Sequence, residues 1–251
     1  MTYSEGVPSE HLLSLKTFLE HGVKIDMVIV GFDNISMYAS IEQHKQQLLR
    51  MPYQFYEENP KEFRRAYLQI VTDESIKKQI NDYDKKSHEV ESEEFYAYGW
   101  NGGDFSLTEN PDMTRYEIRH LGYPLKDSYK DLEEIAQFCK EHDIALVLYT
   151  SPLYQTLYKN SVDDGYFDFL RKVSQKCEFY NFSSLNNYTK NPAYYYEWSH
   201  YRPALGLLVE KMLFGTEEER KQIRRDAGDE LWGIKVNAEN VEFVISGIPC
   251  R

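Results

Sequence analysis

Two short apolar runs constrain this chain more than anything else in it. Ile25-Asp-Met-Val-Ile-Val30 and Ile144-Ala-Leu-Val-Leu-Tyr149 are nearly continuous in apolar residues and rich in β-branched ones. A strand with one wet face alternates polar and apolar residues. A strand buried on both faces of a parallel sheet does not need to. Each run ends in small or polar residues: Gly31-Phe-Asp-Asn34 after the first and Thr150-Ser-Pro152 after the second. The carboxyl ends of parallel strands are where open α/β sheets build their sites.

The segments between these runs have helical spacing. Ser9 to Glu20 places Leu12, Leu15, Phe18 and Leu19 on one stripe, with Ser9 as the expected cap and Gly22 as the stop. Tyr53 to Tyr83, Ser128 to His142 and Asp163 to Lys176 read as further helices. Glu178 to Phe182 reads as a third, short strand, and Leu205, Leu208, Val209 and Met212 mark the last core helix. Strand–helix alternation at this spacing predicts a three-layer α/β/α domain over residues 1–215, with a mainly parallel, flavodoxin-like sheet. Charge dominates from Asp84 to Glu94, and the irregular, aromatic stretch that follows extends this insert to about residue 124. Residues 216–251 read as an extension: a charged helical turn, then a β-hairpin formed by Ile234–Val236 and Val241–Ile245.

Composition narrows the function classes. The net charge is −12, which disfavours nucleic-acid backbones and anionic lipid as partners. Three cysteines without a CxxC pair, and histidines (His11, His21, His44, His88, His120, His142) without ligand spacing, give no reason to expect a metal or other cofactor. No run of apolar residues is long enough to span a membrane, and the opening residues lack the basic start and apolar core of a signal peptide. As written, the chain is expected in the cytoplasm; an upstream segment carrying a signal or anchor would move it to the cell envelope. Its 21 tyrosines suit surfaces that stack on sugars.

The chemistry concentrates in Tyr194-Tyr-Tyr-Glu-Trp-Ser-His-Tyr201, just before the last core helix. Glu197 and His200 stand three apart. A carboxylate beside an imidazole fixes its tautomer and stabilises its cation, which a general base serving a nucleophile requires.

With these blocks in order, the chain resembles the SGNH (GDSL-type) hydrolase superfamily from about Tyr3 to Leu213. Tyr3-Ser-Glu-Gly6 before a helix is similar to the family's glycine block. Val30-Gly-Phe-Asp-Asn34 is similar to its Gly-x-Asn-Asp block with the last two residues exchanged. Glu197-Trp-Ser-His200 is similar to its Asp-x-x-His block, with Pro203 and Gly206 echoing the continuation. The resemblance implies that His200 is the base and Glu197 its orienting carboxylate, with Gly6, Gly31 and Asn34 forming the oxyanion hole. Of the exchanged pair, Asn34 is the expected donor, because an amide donates to an oxyanion whereas a carboxylate repels it.

Ser151-Pro152 is similar to a Ser-Pro of members acting on envelope polysaccharide. Acylated carbohydrate or another small ester is therefore the expected substrate, with Ser151, Tyr154, Trp100 and Tyr201 as its contacts. The family's nucleophile block has no counterpart here, since only five residues precede Gly6. Ser106 and Ser4 are poor replacements, and Ser151 is read as a strand terminator. The expected activity is thus serine ester hydrolysis or O-acyl transfer, incomplete in this chain. The alternatives are a carbohydrate- or partner-binding module of the same fold, or an unrelated flavodoxin-like domain in which His200 lies far from Gly31 and Asn34. A sheet lacking its first strand would expose an edge, so either marginal stability or a covering homodimer is expected.

Overall fold

The first apolar run begins its strand two residues later than the sequence suggests. In the computed structural model, which describes residues 7–38, 60–61, 64, 107, 128–198 and 200–246, strand β1 is Met27–Phe32. It pairs in parallel with β2, Ala145–Thr150, with Met27 opposite Ala145 and Gly31 opposite Tyr149. Strand β3, Phe179–Asn181, continues the parallel set beside β2, and β4, Ile234–Val236, adds antiparallel to β3. The sheet order is β1-β2-β3-β4. The protein is therefore mixed α/β, with a four-stranded, mostly parallel sheet flanked by helices.

Helix α1, Pro8–Glu20, starts at its proline, whose fixed φ suits a first helical position. Ser9 thus lies inside the helix rather than capping it. The Val7 N–H is satisfied instead by the Glu10 carboxylate at 3.1 Å. Gly22 ends the helix as expected, in the left-handed conformation at φ +75°. A single turn, α2 (Ile35–Tyr38), follows β1, and α3 spans Tyr129–Glu141.

The helix expected from Asp163 to Lys176 is α5, Tyr166–Ser174, and it is preceded by a helix the sequence reading did not assign, α4, Gln155–Asp163. Gly165 separates them at φ +100°, a conformation that no helix interior contains. Two further helices are α6, Pro203–Phe214, and α7, Glu217–Ala227.

The sheet separates two cores. Val30, Phe32, Leu148, Phe179 and Val236 project to one face and pack under α1, α3 and α5. The opposite face, through Tyr149 and Tyr180, packs against Leu205, Val209 and Met212 of α6, with Ile223 and Ala227 of α7 and the fully buried Trp232. The charged turn expected at Glu217 to Arg225 is thus a core helix with a polar outer face. β1 departs from the expectation of burial on both sides, since Met27 and Ile29 are about half exposed, at 49% and 51%.

The expected C-terminal β-hairpin does not form. Val241–Ser246 is a helix, α8, and β4 pairs with β3 rather than with it. Asn237 and Asn240 explain the error. The Asn237 carboxamide accepts the N–H groups of Glu239 and Asn240 at 2.9 and 3.2 Å, and Asn240 accepts the Asn237 N–H at 2.9 Å. That reciprocal capping starts a helix where the sequence suggested a turn. Val241, Val244 and Ile245 then meet the first core at helical spacing.

Candidate functional site

Tyr194 to Arg202 forms a tight hairpin that holds Glu197 and His200 across its turn. Tyr195 and Tyr201 make an isolated antiparallel bridge. The Tyr196 N–H donates to the His200 carbonyl at 2.9 Å, and the Arg202 N–H donates to the Tyr194 carbonyl at 2.7 Å. Arg202 stacks over the Tyr196 ring, 4.2 Å from its centroid, and its Nε donates to the Tyr195 carbonyl. The hairpin is anchored to the sheet by Tyr195, which is fully buried and whose hydroxyl donates to the Pro152 carbonyl at 3.0 Å.

On this support His200 Nδ1 meets Glu197 Oε1 in a short contact. The two side chains differ sharply in exposure: 10% for Glu197 and 64% for His200. The carboxylate is therefore the fixed member, and the imidazole faces outward. Its hydrogen bond to Glu197 raises the His200 pKa above 6.5; burial opposes this, and the Glu197 and Asp33 charges add to it. The indole N–H of Trp198, between them in the turn, is buried without a hydrogen-bond acceptor.

Asp33, just past the end of β1, shares this neighbourhood. Its carboxylate accepts the Ile35 N–H at 2.8 Å and its own N–H donates to the Ser36 hydroxyl. Burial raises the Asp33 pKa, while the Ile35 and Ser36 amides and a charged His200 pull it back. The Asp33 charge thus acts on the histidine. Asn34 is buried, with 4% exposure, and its carbonyl accepts the Met37 N–H.

Gly31 lies in the strand opposite Tyr149, and what matters there is space. A Cβ at residue 31 would stand 2.7 Å from the Tyr149 hydroxyl, closer than such contacts occur. The glycine lets the phenol lie flat over β1. Next to it stands the Tyr201 phenol. Burial pushes the Tyr201 pKa well above 10, and its interactions with Tyr149 and Asp33 act in the same direction. No sequence signal marked Tyr149, because a strand-end tyrosine looks like ordinary core.

Ser151 follows β2 and is half-buried. Its N–H donates to the Phe32 carbonyl at 2.8 Å, and its carbonyl accepts the Ser183 hydroxyl at 2.6 Å. Thr150 holds the same corner. Its hydroxyl accepts the Phe182 and Ser183 N–H groups and donates to Asn181. Tyr154 is buried in the second core, its ring edge-on to Tyr195 at 5.2 Å. Gly6, Trp100, Ser4 and Ser106 lie outside the described residues.

The described residues contain no group of three or more His, Cys, Asp or Glu placed to hold a metal ion, and no helix long and apolar enough to cross a membrane. What the arrangement offers is proton transfer at an outward imidazole backed by carboxylate. Neither family models, curated proteins nor solved structures contain a match to this chain.

Proposed function

We propose that this chain carries the acid–base half of an SGNH-type ester hydrolase or O-acyltransferase site, on a flavodoxin-like sheet, acting on acylated carbohydrate. The observation that carries the reading is the exposed His200 ring held through Nδ1 by the buried Glu197, beside the end of β1. Nε2 then takes the proton of an oxygen nucleophile as that oxygen adds to the ester carbonyl. The same proton passes to the leaving alkoxide when the tetrahedral intermediate collapses. Glu197 keeps the ring in the required tautomer and stabilises the imidazolium between those two transfers. The order of the Gly31–Asn34 and Glu197–His200 blocks along the chain supports the family reading.

The test is turnover of 4-nitrophenyl acetate and of an acetylated oligosaccharide by the full chain and by His200→Ala, together with fluorophosphonate labelling and mass spectrometry to locate the nucleophile. Turnover lost in His200→Ala and a single labelled serine support the reading. Saturable binding of the acetylated oligosaccharide, with neither turnover nor labelling, assigns the chain instead to a binding module of the same fold.

A further inference from the structure

Among the described residues the sheet ends at β1 on one side and β4 on the other, and the two edges are built differently. β4 is three residues long and carries Lys235 at its centre, paired with Glu178 at 2.6 Å. A short strand bearing a lysine discourages another strand from adding to it. β1 has neither protection. Met27–Phe32 is six residues without a charge or a proline. Its register with β2 runs unbroken from Met27 to Phe32, so no bulge turns the edge away.

Backbone groups along a strand point alternately to one side and the other. The Asp26 and Phe32 carbonyls accept the N–H groups of Ala145 and Ser151, so the even-numbered residues face β2. The N–H and C=O groups of Met27, Ile29 and Gly31 therefore face away from it. The side chains of these residues share one face of the sheet, where Met27 and Ile29 are about half exposed and the neighbouring Ala145 is exposed. The second core reaches Tyr149 but none of Met27, Ile29 and Ala145.

Sequence and charge decide what fits this edge. Two copies of β1, antiparallel about a two-fold axis at Ile29, bring the outward groups of Met27, Ile29 and Gly31 into hydrogen-bonding register. Ile29 then stands beside Ile29 of the second copy, and Met27 beside Gly31 of the second copy. A long, flexible side chain thus meets the one position in the strand that has none. The Tyr149 ring lies across Gly31 and offers the thioether an aromatic surface. The chain carries a net charge of −12, so two copies repel over most approaches. The β1 strip is neutral, and the exposed charges just before it, Lys24 and Asp26, pair with each other at 2.7 Å.

We propose that β1 is a self-association edge, through which two copies of this chain join their sheets by antiparallel β1–β1 pairing about Ile29. The contact lies at the small end of specific interfaces, so the copies exchange in the micromolar range. The proposal is independent of the ester reading.

The experiment is sedimentation velocity of the full chain from nanomolar to high micromolar concentration, with hydrogen exchange followed at the amides of Met27, Ile29 and Gly31. Wild type is expected to pass from monomer to dimer, and the three amides to exchange faster on dilution. Ile29→Lys and Ile29→Glu each weaken association by at least about tenfold, because like charges meet across the axis. Mixing the two variants restores it, since lysine then meets glutamate. A chain that is monomeric throughout overturns the proposal, whether its three amides exchange freely or another segment of the same molecule protects them. Association that survives in both variants uses a different face and overturns it, as does association lost in both and not restored on mixing. Should either variant fail to fold, the concentration dependence of exchange at the three wild-type amides decides: exchange unchanged on dilution overturns the proposal.

Discussion

Asp33 and His200 stand in each other's electrostatic field, although one ends the first strand and the other closes a hairpin far along the chain. The Asp33 charge favours a protonated His200, and a protonated His200 favours an ionised Asp33. Glu197, which contacts the ring directly at Nδ1, is the main stabiliser of the imidazolium, and the Asp33 charge adds to it.

That arrangement fixes a pH dependence. The His200 pKa lies above 6.5, mainly because Glu197 accepts from its ring. Only the neutral ring takes a proton, so the ester turnover proposed above is expected to rise with pH through a midpoint above 6.5. Glu197→Gln removes the main cause and moves the midpoint down. Stability follows the opposite slope: the pair's contribution is complete below the unfolded value of 6.5 and is lost as pH rises through the raised folded value. An NMR titration of the His200 ring in both proteins checks the shift independently of turnover, and an unmoved midpoint in Glu197→Gln contradicts it.

Gly31→Ala forces its Cβ against the Tyr149 ring. Overpacking of this kind costs about 1–3 kcal/mol. Urea denaturation is expected to show that loss, and a double-mutant cycle with Tyr149→Ala should show strong coupling between the two positions. Independent, additive effects would mean that the ring sits elsewhere.

Thr150→Val keeps the shape of a fully buried side chain but removes its oxygen. The N–H groups of Phe182 and Ser183, at 2.8 and 3.1 Å from that oxygen, lose their acceptor. The expected cost is about 2 kcal/mol, because buried donors are left unsatisfied. A loss below about 0.5 kcal/mol in chemical denaturation would show that water reaches this corner.

Two glycines should respond to alanine with opposite signs. Gly165, at φ +100°, joins α4 to α5, and a Cβ there is strained by about 1–2 kcal/mol. Gly206 is inside α6, where an added Cβ meets only Tyr201 Cε2 at an ordinary 3.5 Å. Gly206→Ala is therefore expected to stabilise by about 0.5–1 kcal/mol. Melting temperatures of the two variants, one lowered and one raised, check both assignments together.

The strands were readable because burial leaves a continuous apolar signature, and the Glu197–His200 pairing was readable because three-residue spacing fits a turn. Asn237 and Asn240 misled because the same residues that make hairpin turns also cap helices, and only their reciprocal bonding separates the two. The start of α5 was placed three residues early, at Asp163, although Asp164-Gly165 is a turn signal. Tyr149 depends on the missing side chain at Gly31, far away in sequence on the neighbouring strand, and that relationship exists only in the folded register.

The second core has a consequence for how the molecule assembles. Every residue in it, from Tyr149 through Phe182, Tyr195 and Leu205 to Trp232, comes from one continuous stretch of the chain. Its loops are short, and closing short loops sacrifices less chain entropy than bringing distant segments together. The hairpin bearing Glu197 and His200 therefore belongs to the part favoured to organise first, whereas Asp33 arrives only when β1 docks across a long intervening segment. Local opening of β1 would carry the Asp33 charge away while the Glu197 contact stays in place, so the protein can lose part of the field around His200 without losing its base.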